Sequence, residues 1–195
     1  PLGMPHDANR KFAYPAILKP VDGAGSIDVR LLSKQPRAHV LIPPGTASRI
    51  ETFHHGTPLS VAGICGGGTI ALLPPCRQHL SNDGRFTYLG GSCPIEEPLA
   101  KRASELAKRA LEVLPPTNGY VGVDMVLGEC PSGDEDVVIE VNPRLTTSYV
   151  GLRELIEQNL AEAMLQAVQG HAVELSVRPG RVEFAADGTV HHLAE

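Results

Sequence analysis

Apolar and polar positions alternate most cleanly in two short stretches of this chain. Over 120–127, Val121, Val123, Met125 and Leu127 take every second position, and Asp124 points the other way. Over 137–142, Val137, Ile139 and Val141 share one side, and Glu140 and Asn142 the other. A period of two marks a half-buried strand. Both stretches are therefore predicted strands, joined by the polar loop at 131–136. Paired as a hairpin with apolar faces matched, they crowd Asp124, Glu140 and Asn142 onto one surface, with Arg144 just past Pro143.

Two other stretches carry the helical period. Leu99, Ala103, Leu106, Ala110, Leu111 and Leu114 fall at steps of three and four, predicting a helix over 95–114 that stops at Pro115-Pro116. A second helix is predicted over 151–168, with Leu152, Leu155, Ile156, Ala163, Met164 and Ala167 facing inward and Gly170 at its end. One of Thr146, Thr147, Ser148 and Tyr149 is expected to cap it near Gly151. Short strands are expected at 14–18, 38–42 and 48–53. Those at 59–64 and 69–73 flank the hairpin signal Gly66-Gly67-Gly68, and one at 85–89 follows the Asn82-Asp83-Gly84 turn. The tail reads as short strands over 173–177 and 181–192. Strands and helices come in separate runs, which favours an α+β fold with antiparallel sheets over a doubly wound one.

Composition narrows the function classes. The 195 residues fit one sizeable domain or two small ones, enough to bury a core without disulfides. A net charge of −5 argues against a nucleic-acid backbone as partner. No run of 18 apolar residues predicts a membrane span. Cys65, Cys76, Cys93 and Cys130 form no C-x-x-C pair, and no signal-peptide pattern opens the chain. Together these point to a reducing, cytoplasmic setting.

Two clusters carry candidate chemistry. Two carboxylates and an amide oxygen on one strand face are hard ligands, suited to Mg²⁺ shared with phosphate oxygens. Without a cation, such close carboxylates repel by roughly 1–4 kcal/mol. At the end of the first strand, Lys19 precedes Asp22-Gly23-Ala24-Gly25-Ser26. Small residues there let backbone N–H groups approach phosphate oxygens, and the ammonium adds a point charge. His54-His55 and His191-His192 are adjacent in strands, so neither pair forms a metal clamp alone.

Together, Tyr14-Pro15-Ala16-Ile17-Leu18-Lys19-Pro20 with its glycine loop, Ile50-Glu51-Thr52-Phe53-His54-His55-Gly56, Gly122-Val123-Asp124 and Ile139-Glu140-Val141-Asn142-Pro143-Arg144 resemble the ATP-grasp superfamily of carboxylate–amine ligases. The strings Lys-Pro-Val-Asp-Gly-Ala-Gly-Ser and Asn-Pro-Arg-Leu-Thr-Thr-Ser-Tyr-Val-Gly-Leu look like the tyramine–glutamate ligase branch. The resemblance covers roughly residues 14–170. It implies antiparallel sheets with helices packed on one face and a nucleotide between two subdomains. A lead-in segment over 1–14, a small lysine and glycine-loop subdomain over 15–55 and a larger Mg²⁺-binding subdomain over 56–195 follow from it.

The resemblance also assigns roles. Lys19 would contact the phosphates, and Gly23, Gly25 and Ser26 would belong to the loop covering them. Glu51 would accept from the adenine amino group, and Thr52, Phe53 and His54 would form the hinge strand. Asp124, Glu140 and Asn142 would hold Mg²⁺, or Mn²⁺ in its place. Arg144 would grip the transferring phosphoryl group or the acceptor carboxylate. The implied reaction joins a small-molecule carboxylate to an amine through an acyl phosphate at the expense of ATP. Two departures stand beside this. Family members often carry a ribose-binding acid seven residues past the adenine glutamate, where this chain has Pro58. A further domain with a second phosphate-binding lysine normally precedes the Lys19 motif. A non-catalytic ATP and Mg²⁺ module, a homo-oligomer, or a chain completed by an N-terminal partner segment are therefore the alternatives.

Overall fold

The computed structural model describes residues 13–22, 26–35 and 47–193. The expected strand at 38–42 and both glycines of the Lys19 loop, Gly23 and Gly25, lie outside them. Among the described residues the elements run β1 (Ala16–Pro20), β2 (Arg30–Leu32), β3 (Ser48–Thr52), β4 (Thr57–Gly66), β5 (Thr69–Leu72), β6 (Cys76–Leu80), β7 (Tyr88–Cys93), α1 (Glu97–Glu112), β8 (Gly119–Leu127), β9 (Val137–Asn142), α2 (Ser148–Leu155), α3 (Leu160–Val168), β10 (Arg181–Ala185) and β11 (Val190–Leu193). They divide into two compact units. One holds the described residues up to Phe53 together with Ser81–Thr87; the other holds His54–Leu80 and the chain from Tyr88 onward.

The first unit is built on an antiparallel three-stranded sheet in the order β2-β1-β3. Its centre, β1, buries Ala16 and Leu18. The 81–87 segment closes on it: the Leu31 N–H donates to the Gly84 carbonyl at 2.7 Å, and the Phe53 and Phe86 rings stack at 5.8 Å.

The second unit is one antiparallel sheet in the order β11-β10-β7-β6-β4-β8-β9, with β5 paired to the far end of β4. Alternation along β4 explains its layering. Leu59, Val61 and Cys65 join Val121, Val123 and Met125 of β8 against Ala103, Ala107 and Leu111 of α1. Ala62 and Ile64 point the other way and pack with Leu152, Leu155, Leu160, Ala163 and Ala167 of α2 and α3. Each fully buried Leu or Val contributes about 1.5–3 kcal/mol, so β4 draws stability from both sides. The α+β class and antiparallel pairing stand. The helices, expected on one face, instead cover two, because β4 is apolar at both odd and even positions.

The remaining differences have local causes. Gly67 and Gly68 turn β4 into β5 with positive φ (56° and 79°), the hairpin their sequence predicts. The 85–89 stretch becomes a strand only from Tyr88. The strand β6 gives no sequence signal, because Arg77, Gln78 and His79 show no apolar alternation. The single helix expected over 151–168 is two. Ile156 turns extended and bridges Val177, and the Asn159 side chain then accepts from the N–H groups of Ala161 and Glu162 to start α3. That bridge is all that remains of the strand expected over 173–177. Thr147 sits at the N-cap of α2 without a side-chain cap, so the expected capping bond is absent from this helix.

Candidate functional site

The β8–β9 ribbon carries the acidic cluster. Gly122 pairs with Asn142, Val123 with Val141 and Asp124 with Glu140, so the two carboxylates are direct cross-strand partners. Beyond them the register slips: Met125 faces Val138 and Val126 faces Val137, leaving Ile139 as the extra residue of a bulge. The bulge corrects one detail of the sequence reading. Val137, expected on the apolar face with Val141, pairs with Val126 on the Asp124 side. The shared face of Asp124, Glu140 and Asn142 lies before the slip and is kept.

Hydrogen bonds fix this cluster. Gln78 Nε2 donates to Asp124 Oδ1 at 2.9 Å, and Asn142 Nδ2 donates to Asp124 Oδ2 at 3.0 Å. Arg144 Nη2 in turn donates to Asn142 Oδ1 at 3.1 Å. Asn142 is buried, whereas Glu140 and Arg144 are exposed. Burial, followed by the neighbouring Glu140 charge, pushes the Asp124 carboxyl up to about 6; Gln78, Arg144 and Asn142 pull the other way. Like charges directly opposite in a ladder are destabilising, so this arrangement favours a cation.

The chain leaving the ribbon folds back on it. Thr146 Oγ1 and Ser148 Oγ lie 2.9 Å apart, and both reach the Tyr120 hydroxyl, at 3.2 and 3.3 Å. Burial pushes the Tyr120 phenol up to about 12, so it stays protonated as a hydrogen-bond partner. Gly122 makes room for this return: a Cβ there would stand 2.6 Å from Thr146 Cγ2.

In the small sheet, β1 and β3 pair Ile17 with Glu51 and Lys19 with Arg49. The diagonal brings Lys19 Nζ to 2.7 Å from Glu51 Oε2, while Arg49 Nε takes Glu51 Oε1 at 2.8 Å. Lys19 and Glu51, read separately from sequence, are thus one ion pair. Thr52 ends β3 opposite Ala16, and Phe53 follows it in the ring stack. His54 is half-buried and falls in the other unit. Ser26 has a positive φ of 61° in a turn.

Gln78 carries no assignable role in the sequence alone. It sits 46 residues from Asp124, on a strand that β4 separates from β8. Its one signal is an amide side chain in a segment without apolar alternation, which names no partner. Among the described residues no three His, Cys, Asp or Glu side chains converge as a ready metal cage. The donor set is two carboxylates and one amide oxygen, the composition Mg²⁺ accepts when phosphates supply the rest.

Two antiparallel sheets thus carry a lysine–glutamate pair on the small one and an acid-amide ribbon on the large one. A model of the ATP-grasp domain matches residues 2–148, and the chain belongs to that family. It is 33% identical over 128 residues to a tyramine–L-glutamate ligase of Methanocaldococcus fervens, covering 66% of this chain and 40% of the relative. The chain thus spans about two-fifths of that relative's length. An ATP-grasp superfamily protein from Archaeoglobus fulgidus superposes with a TM-score of 0.63 at 26% identity, covering 90% of this chain and 50% of the other. A carboxyaminoimidazole ribonucleotide synthase from Aspergillus clavatus complexed with ATP shares the fold, with a TM-score of 0.69 at 18% identity over 87% and 45%. No helix among the described residues is long and apolar enough to cross a membrane.

Proposed function

We propose that this chain handles ATP and Mg²⁺ in a ligase that joins a carboxylate to an amine through an acyl phosphate. The carrying observation is the direct pairing of Asp124 with Glu140 beside Asn142, two acids set against each other where a divalent ion would relieve them. Family membership and the resemblance to tyramine–glutamate ligase support the same reading. Asp124, Glu140 and Asn142 would hold Mg²⁺, which when bound neutralises phosphate charge. Lys19 exchanges Glu51 for phosphate oxygens, and Glu51 is released to accept from the adenine amino group. The resemblance would assign Thr52, Phe53 and His54 to the base, and Gly23, Gly25 and Ser26 to the phosphates. Arg144 steadies the transferring group. A substrate carboxylate oxygen attacks the γ-phosphorus and ADP leaves; the amine nitrogen then attacks the acyl carbon, phosphate leaves, and the nitrogen gives up one proton to water or to the departing phosphate. Positioning and charge neutralisation supply the rate.

Calorimetry with a nonhydrolysable ATP analogue and Mg²⁺ tests the reading. Binding is expected, weakened at least about tenfold by Lys19→Ala and by Asp124→Asn. ADP release stimulated by a carboxylate and an amine together tests the chemistry. No nucleotide binding, or binding indifferent to both substitutions, would overturn it.

A further inference from the structure

Among the described residues, the hydrogen bonds that hold the Asp124 carboxylate come from neutral amides, and one of the two amides comes from outside the ribbon. Asn142 reaches Asp124 Oδ2 from the adjacent strand. Gln78 reaches Oδ1 from β6, two strands away in the order β6-β4-β8. Two strand spacings amount to about 9.5 Å, which a glutamine and an aspartate together span and a shorter pair does not. On β4 the cross-strand partner of Asp124 is Ser60, which also pairs with Cys76, two residues before Gln78, so the reach from Gln78 is a diagonal one.

We propose that Gln78 is a positioning residue for the metal site: its amide fixes the plane of the Asp124 carboxylate so that one lone pair on each oxygen remains directed at the ion. This rests on the Mg²⁺ reading given above. Asn142 alone would hold one carboxylate oxygen and leave the group free to turn about that single hydrogen bond. Asn142 is itself held by Arg144, so the chain Gln78–Asp124–Asn142–Arg144 sets the acid from both sides. An amide suits this task better than a cation. It donates a hydrogen bond to the carboxylate without competing with the ion through charge. Partners of metal ligands typically contribute 10–100-fold to metal affinity.

The test is Mn²⁺ binding to the full chain, followed by electron paramagnetic resonance in the presence of a nonhydrolysable ATP analogue and without turnover. Gln78→Met keeps length and volume but removes the N–H donor. It is expected to weaken Mn²⁺ about 10–100-fold, while nucleotide affinity measured in EDTA stays at the wild-type value. Gln78→Asn, polar but one methylene short, is expected to behave alike and carries the test if the methionine variant does not fold. Mn²⁺ affinity unchanged in the folded variant, while Asp124→Asn abolishes binding, overturns the role of Gln78 and leaves the metal site standing. Equal loss of nucleotide affinity in EDTA would show a general structural defect and also overturns it. Mn²⁺ binding unaffected by Asp124→Asn overturns the metal site, and the role of Gln78 falls with it.

Discussion

In the three-stranded sheet opposite charges meet, and on the β8–β9 ribbon like charges do. Lys19, Arg49 and Glu51 satisfy one another at 2.7 and 2.8 Å on a partly solvated surface. Asp124 lies half-buried opposite Glu140, and neutral amides hold it. On the function proposed above, the first cluster, complete by itself, would be exchanged when a ligand arrives, and the second would be finished by one. Screened surface pairs exchange at little cost, whereas a half-buried carboxylate facing another stores repulsion that a divalent ion would convert into affinity.

This contrast can be broken experimentally. The largest effect is expected from Asp124→Asn, which should weaken Mn²⁺ in the nucleotide complex about 100-fold, or 2.7 kcal/mol. The metal-free variant should be no less stable than wild type by urea titration. A loss of metal-free stability beyond about 1.5 kcal/mol, the cost of the one hydrogen bond the substitution removes, would mean that the ribbon is not under charge repulsion.

The next effect is a pH dependence. The Asp124 carboxyl rises from 3.8 to about 6 on folding, so the folded state holds its proton more tightly than the unfolded one. That contribution to stability is complete below pH 3.8 and lost as pH rises through about 6. The loss amounts to about 1–3 kcal/mol, read as wild type minus Asp124→Asn in metal-free urea melts from pH 4 to about 7. A flat difference would contradict the burial of this acid.

Lys19→Met should weaken an ATP analogue about tenfold, or 1.4 kcal/mol, by calorimetry both with Mg²⁺ and in EDTA. A loss confined to the Mg²⁺ titration would place Lys19 with the metal rather than the phosphates. The smallest effect is expected from Glu51→Gln, which should change stability by less than about 1 kcal/mol in the same melts, because Glu51 is partly exposed and a glutamine oxygen can still accept from the largely buried Lys19. A larger change would make the pair a structural element.

What the sequence made legible follows the range of each interaction. Strict alternation at Val121, Val123, Met125 and Leu127 was enough to put Asp124 on its correct face, because strand period is a local property. The slip at Ile139 was invisible, since a bulge adds a residue without changing residue type. The break between α2 and α3 had a readable signal in Asn159, with Glu162 three positions on. An apolar stripe running through Leu155, Ile156, Leu160 and Ala163 concealed it. Gln78 had none, because its bond to Asp124 exists only through the order β6-β4-β8.

The missing side chain of Gly122 has a consequence of its own. With 2.6 Å between its would-be Cβ and Thr146 Cγ2, even alanine would force the Thr146 side chain to shift, and with it the hydroxyl contacts to Tyr120 and Ser148. Arg144 sits in the short connection between Asn142 and Thr146, so its aim would drift with the displacement. A residue that touches no ligand and carries no functional group would then score in a mutational scan as if it were catalytic. What Gly122 contributes is volume: the space of one methyl group, already taken by Thr146.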